Sequence, residues 1–467
     1  MIAKLISIML FILPSITLML LHSGYYLMSS RYRGIRHVER YSGVSIIVPI
    51  KNEPEELIVK LVENLGHLKG DYELIIISDD PIDRALTLKE ICESRARELN
   101  LKLKFIIGDP SKGSRVKALN RGITEASHDY VLVLDVDARP TEECIERLVE
   151  CVNSGYDACV GRWRGYYDAE TRLARAISMA MKYTVDTLYK GRSALNLFIF
   201  PLGSGTLFRR DALIKVGLWD EVIQDDMYMG IKFLINGFKT AYVDDAVLDV
   251  LVPSTYAALR IQQGRWAYGA VEVLRKLFKD FINADVGLLI KIEAILFLLQ
   301  YVPTAMLFLG SLIIPFASLI AKDDLLNLGI GGISGILIPT VLYASTIYRS
   351  LSSDCRDKVR VIKSMGSSAA ITVALLPVIS LNTLGSILGL PARYKVTPKG
   401  SSELGLLNTK YVTESTYLIY MFSMTVLNLI YGNLLTALWC LALTSALTYV
   451  FMRAEKEVTN QPLPPKG

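Results

Sequence analysis

Long apolar runs at both ends of the chain constrain its fold more than any other feature. Residues 2–28 are mostly apolar and lead into a basic run at 31–40, and further apolar runs fill much of the chain beyond residue 292. About 20 apolar residues suffice to cross a bilayer as a helix. Residues 43–280 have instead the mixed composition of a globular domain. We therefore expect a soluble domain inserted between membrane-spanning helices.

The apolar runs predict about five membrane spans. The first occupies residues 1–30 and is too long for a signal peptide, which would also have a small-residue cleavage site. Two spans are expected within 293–349, where Pro303 should kink the first of them. Two more are expected within 413–452, separated by a turn at residues 431–433, Tyr-Gly-Asn.

Basic residues beside the spans predict their orientation. The arginines of the 31–40 run place the soluble domain in the cytosol of a multi-pass protein of the cell membrane. Residues 364–390 contain many serines and threonines, and the basic segments on both sides of them favour a helix lying in the cytosolic interface. We accordingly predict an interfacial helix and loop over 355–412 and a cytosolic tail at 453–467.

Composition and cysteine spacing argue against other classes of protein. The net charge of +5 is modest, and we see no stripe of basic and aromatic residues, so nucleic acid is not an expected partner. The cysteines form no C-x-x-C pair, and we expect all of them to be buried thiols in a reducing compartment. They are Cys92, Cys144, Cys151, Cys159, Cys355 and Cys440.

Strand and helix patterns alternate in the first half of the soluble region. Apolar runs predict strands at 43–49, 72–78, 101–107 and 130–134, and helical patterns predict helices from 54 and over 84–99 and 115–126. This alternation indicates an α/β domain with a largely parallel sheet. Ligands of such sheets bind beyond the carboxyl ends of the strands.

Acidic residues follow two of the predicted strands. Asp79 and Asp80 follow one strand, and Asp135 and Asp137 follow another. Carboxylates one residue apart can hold Mg²⁺ or Mn²⁺ together with diphosphate oxygens. A lone D-x-D sequence also arises by chance, so its position at a strand end is what favours a metal site.

Two further groups of residues are candidates for chemistry. Asp225 and Asp226 begin an apparently helical stretch, where an acid can cap the helix or act as a general base. Gln262, Arg265 and Trp266 lie on an amphipathic stretch that leads to the membrane. They suit either an interfacial anchor or a site for a diphosphate and a sugar ring.

The order of these groups resembles that of the family 2 inverting glycosyltransferases, in the cellulose and hyaluronan synthase branch. The resemblance covers residues 43–280, and its most specific part is the Q-x-x-R-W element at 262–266. Residues 394–400, Tyr-Lys-Val-Thr-Pro-Lys-Gly, look like the gating-loop motif of the same branch. The supporting motifs are Val48-Pro49-x-x-Asn52-Glu53, Asp79-Asp80, Ala118-Leu119-Asn120, Asp135-Val136-Asp137, Gly203-Ser204-Gly205 and Asp225-Asp226.

The resemblance implies a GT-A nucleotide-sugar domain over 43–254 and an interfacial segment carrying Q-x-x-R-W over 255–292. It implies Asp226 as the catalytic base, Asp135 and Asp137 as metal ligands, and a loop that closes over the nucleotide. The implied substrate contacts are Glu53, Asp79, Asp80, Arg115, Asp135, Asp225, Gln262, Arg265, Trp266, Thr397 and Lys399. The chain departs from the family at Tyr394, where Phe is usual, and at Arg115, where Lys is frequent.

Together these observations predict an enzyme that moves a sugar from a nucleotide-diphospho-sugar, with UDP-sugars favoured, to a growing polysaccharide by repeated addition. One alternative is a single transfer to a lipid-linked acceptor. A non-catalytic membrane protein with a decayed transferase domain is an alternative of another class, although every acid and base of the pattern is present.

Overall fold

An eight-stranded sheet forms the centre of the soluble domain. The computed structural model describes residues 2–35, 38, 42–406 and 409–454. The predicted tail from 455 onward, and residues 36, 37 and 39–40 of the basic run, lie outside them. The strands are β1 Val44–Ile50, β2 Tyr72–Ser78, β3 Lys102–Ile107, β4 Tyr130–Val133, β5 Ala138–Pro140, β6 Ala158–Tyr166, β7 Thr206–Arg209 and β8 Thr240–Leu251.

The described strands are ordered β3-β2-β1-β4-β7-β6-β8-β5. Strands β1, β2, β3 and β4 run parallel, β7 is antiparallel to both of its neighbours, and β5 is antiparallel to β8. The largely parallel sheet is therefore confirmed. The central strand β1 is almost completely buried, which explains its unbroken apolar run.

Helices cover both faces of the sheet and continue into a helical bundle. They are α1 Ile2–Ser7, α2 Leu13–Ser29, α3 Glu55–His67, α4 Ile82–Glu98, α5 Arg115–Glu125, α6 Cys144–Asn153, α7 Arg172–Val185, α8 Arg192–Ala194, α9 Arg210–Lys215, α10 Asp225–Ile235, α11 Tyr256–Asn283, α12 Leu288–Leu298, α13 Val302–Ala321, α14 Gly329–Ser352, α15 Lys358–Ile387, α16 Val412–Ile430 and α17 Leu434–Tyr449. Turns of π-helix lie at Ile8–Ile12, Asp186–Gly191 and Val450–Ala454, and a 3₁₀ helix at Gly400–Leu406.

Two cysteines pair, so the prediction that all six are free thiols is wrong. Cys151, in the last turn of α6, forms a disulfide with Cys159 in β6. The turn between the helix and the strand reverses the chain and leaves the two Cα atoms 6.2 Å apart, within reach of a disulfide. Both residues are buried, so burial by itself did not distinguish a pair from separate thiols.

Five helical segments of the described chain are long and apolar enough to cross a membrane. Five spans were predicted and five are found, but Lys358–Ile387 is among them and the segment expected at 416–430 is not. The segments are Lys4–Ser29, Val302–Ala321, Gly329–Ser352, Lys358–Ile387 and Leu434–Arg453. The segment expected at 416–430 forms α16, whose first turns carry Thr413, Glu414 and Ser415 and reduce its mean hydropathy. The five segments indicate a membrane protein.

Helix α15 is long enough to span, yet it contacts the soluble domain along its length. Near its start Arg360 pairs with Glu170, at 3.0 Å. In its middle the Ala374 carbonyl accepts a hydrogen bond from Tyr256 at 2.8 Å. Just past its end the Leu390 carbonyl accepts one from Tyr268 at 2.6 Å. These contacts are what an interfacial helix would make, and that orientation remains our proposal.

The chain at Pro303 contains two helices where one kinked helix was expected. Helix α12 ends at Leu298, and α13 begins at Val302 with Pro303 in its first turn. Proline is tolerated there because the first N–H groups of a helix have no carbonyl partner within it. The prediction of a kinked span over 293–320 is therefore wrong.

A buried ion pair joins the soluble domain to the bundle. Arg192, which is inaccessible to solvent, lies against both carboxylate oxygens of Glu293 at 2.7 and 2.8 Å. Tyr25 of α2 donates to the same carboxylate at 3.1 Å. The guanidinium also donates to the carbonyl of Phe198, in the segment between α8 and β7.

Changing Glu293→Gln should destabilise the fold by about 3–5 kcal/mol, because it leaves the buried Arg192 charge without its counter-ion. Thermal or denaturant unfolding in detergent measures the loss. Asp71→Asn is the matched control, since Asp71 and Lys102 form an exposed pair that solvent screens and whose loss should change the stability little. Equal losses of stability in the two variants would contradict a stabilising role for the buried pair of Arg192 and Glu293.

Candidate active site

The predicted acids at the strand ends open into one cavity. Asp79 follows β2 and Asp135 follows β4, and both line a cavity of about 1430 Å³. Because β1, β2 and β4 are parallel, their carboxyl ends meet at the same edge of the sheet. A typical small-molecule pocket measures roughly 300–1,000 Å³, so this cavity has room for two substrates.

One arginine links two of the predicted acids. The guanidinium of Arg115, at the start of α5, lies 2.9 Å from Asp135 Oδ1 and 2.8 Å from Asp225 Oδ2. It also donates to the carbonyl of Gly203 at 2.6 Å. Burial would raise the pKa of Asp135, but the charges of Arg115 and Lys399 lower it below its usual value. Asp135 is therefore held as a carboxylate.

The Gly203–Gly205 loop orients two acids. The Ser204 hydroxyl accepts a hydrogen bond from the Asp135 N–H at 2.9 Å, and the Gly203 N–H donates to Asp226 Oδ2 at 2.9 Å. Gly205 has a φ of +84°, and a Cβ there would lie 2.5 Å from a methyl group of Leu248. Only glycine adopts this positive φ without strain and also leaves room for the Leu248 side chain.

Asp226 has the environment of a general base. It lies in the first turn of α10 and lines the cavity. Its Oδ1 accepts a hydrogen bond from the Met227 N–H at 2.8 Å. Burial, together with the neighbouring charge of Asp225, raises its pKa to about 6. A carboxylate of that pKa is ionised at neutral pH and is a better proton acceptor than an ordinary aspartate.

Asp137 is buried against the predicted gating loop. Its Oδ1 lies 2.5 Å from the amino group of Lys399, while its Oδ2 is buried without a hydrogen-bond partner. Burial raises the pKa of Asp137, opposed by the charge of Lys399. Burial alone would lower the pKa of Lys399, but the charges of Asp137 and Asp135 raise it.

Asp135 and Asp137 could hold a divalent cation together with the phosphates of a bound donor. No group of three or more His, Cys, Asp or Glu side chains that could hold a metal occurs among the described residues. Mg²⁺ is commonly bound by one or two carboxylates, with substrate phosphates and water as the other ligands. Asp135 and Asp137, the latter with an unpartnered oxygen, match that requirement.

Glu53, Asp79 and Asp80, which were predicted to contact the substrate, have different surroundings. Glu53 and Asp79 line the cavity, and burial raises the pKa of both, that of Glu53 to about 7. Asp80 is fully buried and is not among the residues lining the cavity. Its oxygens accept hydrogen bonds from the Asn52 N–H and the Ser78 hydroxyl, both at 2.8 Å. Asp80 thus supports the loop that carries Glu53.

The Q-x-x-R-W element lies on α11 and faces the same cavity. Gln262, Arg265 and Trp266 all line it. Arg265 donates to the hydroxyl of Tyr394 at 3.0 Å and lies 5.0 Å from the centre of its ring. Tyr394, at the position where the family usually has Phe, therefore adds a hydrogen bond between α11 and the loop.

The remaining loop residues also lie at the cavity. Thr397 and Lys399 line it, and the Thr397 hydroxyl is buried without a hydrogen-bond partner. An unsatisfied buried hydroxyl is costly, and a ligand that bonds to it would remove the cost. All the predicted site residues except Asp80 and Asp137 thus line one cavity, and Asp137 contacts Lys399, which lines it.

Sequence reasoning missed Glu403, which fixes the 3₁₀ helix after the predicted gating loop to the start of α11. Its carboxylate accepts the backbone N–H groups of Ser254 at 3.0 Å and Thr255 at 2.7 Å, and the Thr255 hydroxyl at 2.8 Å. An acid at a helix N-terminus is stabilised by the free N–H groups and the helix dipole. The acid is 148 residues away from Thr255 in sequence, so no local signal could reveal the contact.

The cavity does not end at the soluble domain. Beyond Asp226 it continues between α7 of the soluble domain and the bundle helices, and its wall is formed by α2, α7, α13, α14 and α15. We call this part the membrane arm. It is lined by residues such as Leu18, Met19, Leu307, Tyr343, Ile371 and Leu375.

A largely parallel sheet with paired acids at one edge of a large cavity fits the class of glycosyltransferases. Residues 45–217 match the model of the family described as Glycosyl transferase family 2. A probable glycosyltransferase of Sulfolobus acidocaldarius is 30% identical over 97% of this chain and 98% of its own. The chain belongs to glycosyltransferase family 2.

Other relatives match less of their own length. A probable glucomannan 4-beta-mannosyltransferase 7 of Oryza sativa is 28% identical over 66% of this chain. The match spans 54% of the rice protein, so the chain covers about half of that relative. Poly-beta-1,6-N-acetyl-D-glucosamine synthase of Staphylococcus aureus is 27% identical, over 53% of this chain and 58% of its own.

A solved structure is similar in fold. The mannosyltransferase PcManGT of Pyrobaculum calidifontis, in complex with GDP-Man and Mn²⁺, aligns with a TM-score of 0.52 at 17% identity. The alignment covers 79% of this chain and 99% of that structure. The soluble domain has the GT-A fold, as predicted.

Proposed function

We propose that this protein is an inverting, metal-dependent hexosyltransferase that acts at the cytosolic face of the cell membrane. The observation that carries the proposal is the position of Asp226. It is a partly buried acid of raised pKa, and it lies in one continuous cavity between the strand-end acids and the membrane arm. That is where a donor from the cytosol and an acceptor from the membrane would meet.

The strand-end acids would bind the donor. Glu53 and Asp79 would contact its base, and Asp135 and Asp137 would hold Mg²⁺ or Mn²⁺. The cation would neutralise charge on the leaving diphosphate. The resemblance favours UDP-sugars, whereas the similar Pyrobaculum structure contains GDP-Man, so both nucleotides belong in the test.

The reaction would be a single displacement. Asp226 would accept the proton of the acceptor hydroxyl while the oxygen of that hydroxyl forms a bond to the anomeric carbon. The bond from that carbon to the phosphate oxygen breaks on the opposite side, and the nucleoside diphosphate leaves with the electron pair. The configuration at the anomeric carbon is therefore inverted. Arg265 would stabilise the leaving diphosphate, and Trp266 would hold the acceptor sugar.

The predicted gating loop would control access to the donor. Thr397 has a free hydroxyl, and Lys399 would move from Asp137 toward the phosphates as the cation binds. Closure of a loop over bound donor excludes water and so suppresses hydrolysis. Gln262, Arg115 and Asp225 would also contact the substrates.

Two classes of acceptor follow from different observations. The rice and Staphylococcus relatives bear the names of polysaccharide-forming enzymes, which supports repeated addition to a growing chain. The apolar wall of the membrane arm instead favours an acceptor with a lipid part.

The proposal is tested with membranes containing the full chain and labelled UDP-glucose, UDP-N-acetylglucosamine and GDP-mannose, each with Mg²⁺ or Mn²⁺. We expect one donor to be consumed only with metal, giving a product whose new linkage is inverted by NMR. Product sizing distinguishes repeated from single addition. Nucleotide-sugar binding without turnover in every combination would instead support a non-catalytic protein.

A further inference from the structure

The membrane arm is continuous with the site of transfer. Tyr189 and Tyr301 line the cavity where it passes from the soluble domain into the bundle. Burial, with a contribution from the Asp226 charge, raises the pKa of both phenols, so both lie within electrostatic reach of the base. A molecule whose hydroxyl is at Asp226 could therefore extend its remainder into the arm.

The wall of the arm offers little to a hydrated ligand. Among the described residues that α2, α7, α13, α14 and α15 contribute to it, none is Asp, Glu, Lys or Arg. The charged residues that line the cavity all come from the soluble domain and the gating loop. The wall that these helices form is therefore free of acidic side chains, lysine and arginine, and its polar groups are His22 and a number of hydroxyls.

Five hydroxyls on this wall are already engaged by backbone carbonyls. Thr184, Thr340 and Thr372 each donate to the carbonyl four residues earlier in the same helix, at 2.8–3.0 Å. Ser15 and Ser368 donate to carbonyls of neighbouring helices, at 3.2 Å each. A glycan threaded through the arm would lose its water and find these donors occupied, at a cost for each unpaired hydroxyl.

We propose that the membrane arm binds the apolar chain of a lipid acceptor, whose polar head presents its hydroxyl to Asp226. The inference rests on the proposed transferase function and specifies its acceptor class. An alkyl or isoprenoid chain needs no hydrogen bonds and gains free energy from burial in such a wall. The catalytic domain then acts on the head group at the mouth of the arm.

The test compares acceptors that differ only in their tails. The full chain in lipid nanodiscs receives its preferred donor and either the dodecyl or the methyl glycoside of glucose, mannose or N-acetylglucosamine. Each methylene buried contributes up to about fourfold in affinity, so wild type should prefer a dodecyl acceptor by at least about a hundredfold in kcat/KM.

A matched pair of variants separates the arm from the surrounding bilayer. Ala344→Phe places a ring in the arm, and Val341→Phe places the same ring on the exposed side of α14. Both variants experience the same partitioning of acceptor into the disc. Ala344→Phe should lower kcat/KM for the dodecyl acceptor by about tenfold or more through overpacking of its tail site. It should leave the methyl acceptor and nucleotide binding unchanged, and Val341→Phe should resemble wild type.

The outcomes are distinct. Crosslinking of a diazirine-bearing dodecyl glycoside to α2, α14 or α15, lost in Ala344→Phe, would support the inference independently of turnover. Equal use of methyl and dodecyl acceptors, or equal effects of the two variants, would overturn it while leaving the transferase function intact. Long glycan chains extruded from a soluble primer would overturn it in favour of polymer export. Absence of donor turnover with every acceptor would instead count against the proposed function.

Discussion

Changing Asp226→Asn is expected to lower kcat by about 10²- to 10⁴-fold while nucleotide binding is retained. The substitution keeps the shape of the side chain but removes the proton acceptor, and general-base catalysis contributes within that range. The amide oxygen can still accept the Gly203 N–H, which the carboxylate holds at 2.9 Å, so the loop should stay in place. Turnover and nucleotide affinity, measured on the same preparation, check the result.

The pH dependence gives a second readout. Because the pKa of Asp226 is raised to about 6, its carboxylate gains a proton as pH falls through that value, and kcat/KM should fall with it. In Asp226→Asn this acid limb should vanish from the residual activity. Asp225→Asn is the matched control: it should retain the acid limb, shifted to lower pH, because the Asp225 charge contributes to the raised pKa of Asp226. Loss of nucleotide binding in Asp226→Asn would make Asp226 a structural acid and Asp225 the candidate base.

Much of the soluble fold could be predicted because its signals are local. The strand predicted at 72–78 matches β2 without shift, and 115–126 differs from α5 by one residue. Buried parallel strands are continuous apolar runs, and the helices between them have a different period. The disulfide between Cys151 and Cys159 escaped, because a tight reversal between a helix and a strand has no cysteine-spacing signature.

The bundle and the site were predicted less evenly. Hydropathy located every apolar segment but could not show that α15 contacts the soluble domain from Arg360 to Leu390. Motif order identified the acids that meet at the cavity. It could not separate Asp79, which lines the cavity, from Asp80, which faces the backbone beneath it. Such distinctions depend on side-chain direction, which adjacent residues in a sequence do not reveal.

Changing Asp137→Ala should lower turnover by at least about a thousandfold and weaken nucleotide binding. The change removes a proposed metal ligand, and a cation at a leaving diphosphate supplies several kcal/mol of charge stabilisation. It also leaves Lys399, which lies 2.5 Å from Asp137 Oδ1, without its closest counter-ion. Excess chelator should reproduce the loss in the wild-type protein, and Mn²⁺ should restore activity to the wild type alone.

Lys399→Met separates the two roles of Asp137. It removes the ion pair but keeps both carboxylates, so turnover should fall while its response to Mn²⁺ and chelator persists. Asp137→Ala should lose the metal response itself, measured as the Mn²⁺ dependence of nucleotide affinity. If the two variants behaved alike, Asp137 would serve only to anchor the gating loop. Full wild-type activity in excess chelator would exclude the metal assignment, and the stabilisation of the leaving diphosphate would then fall to Arg265 and Lys399.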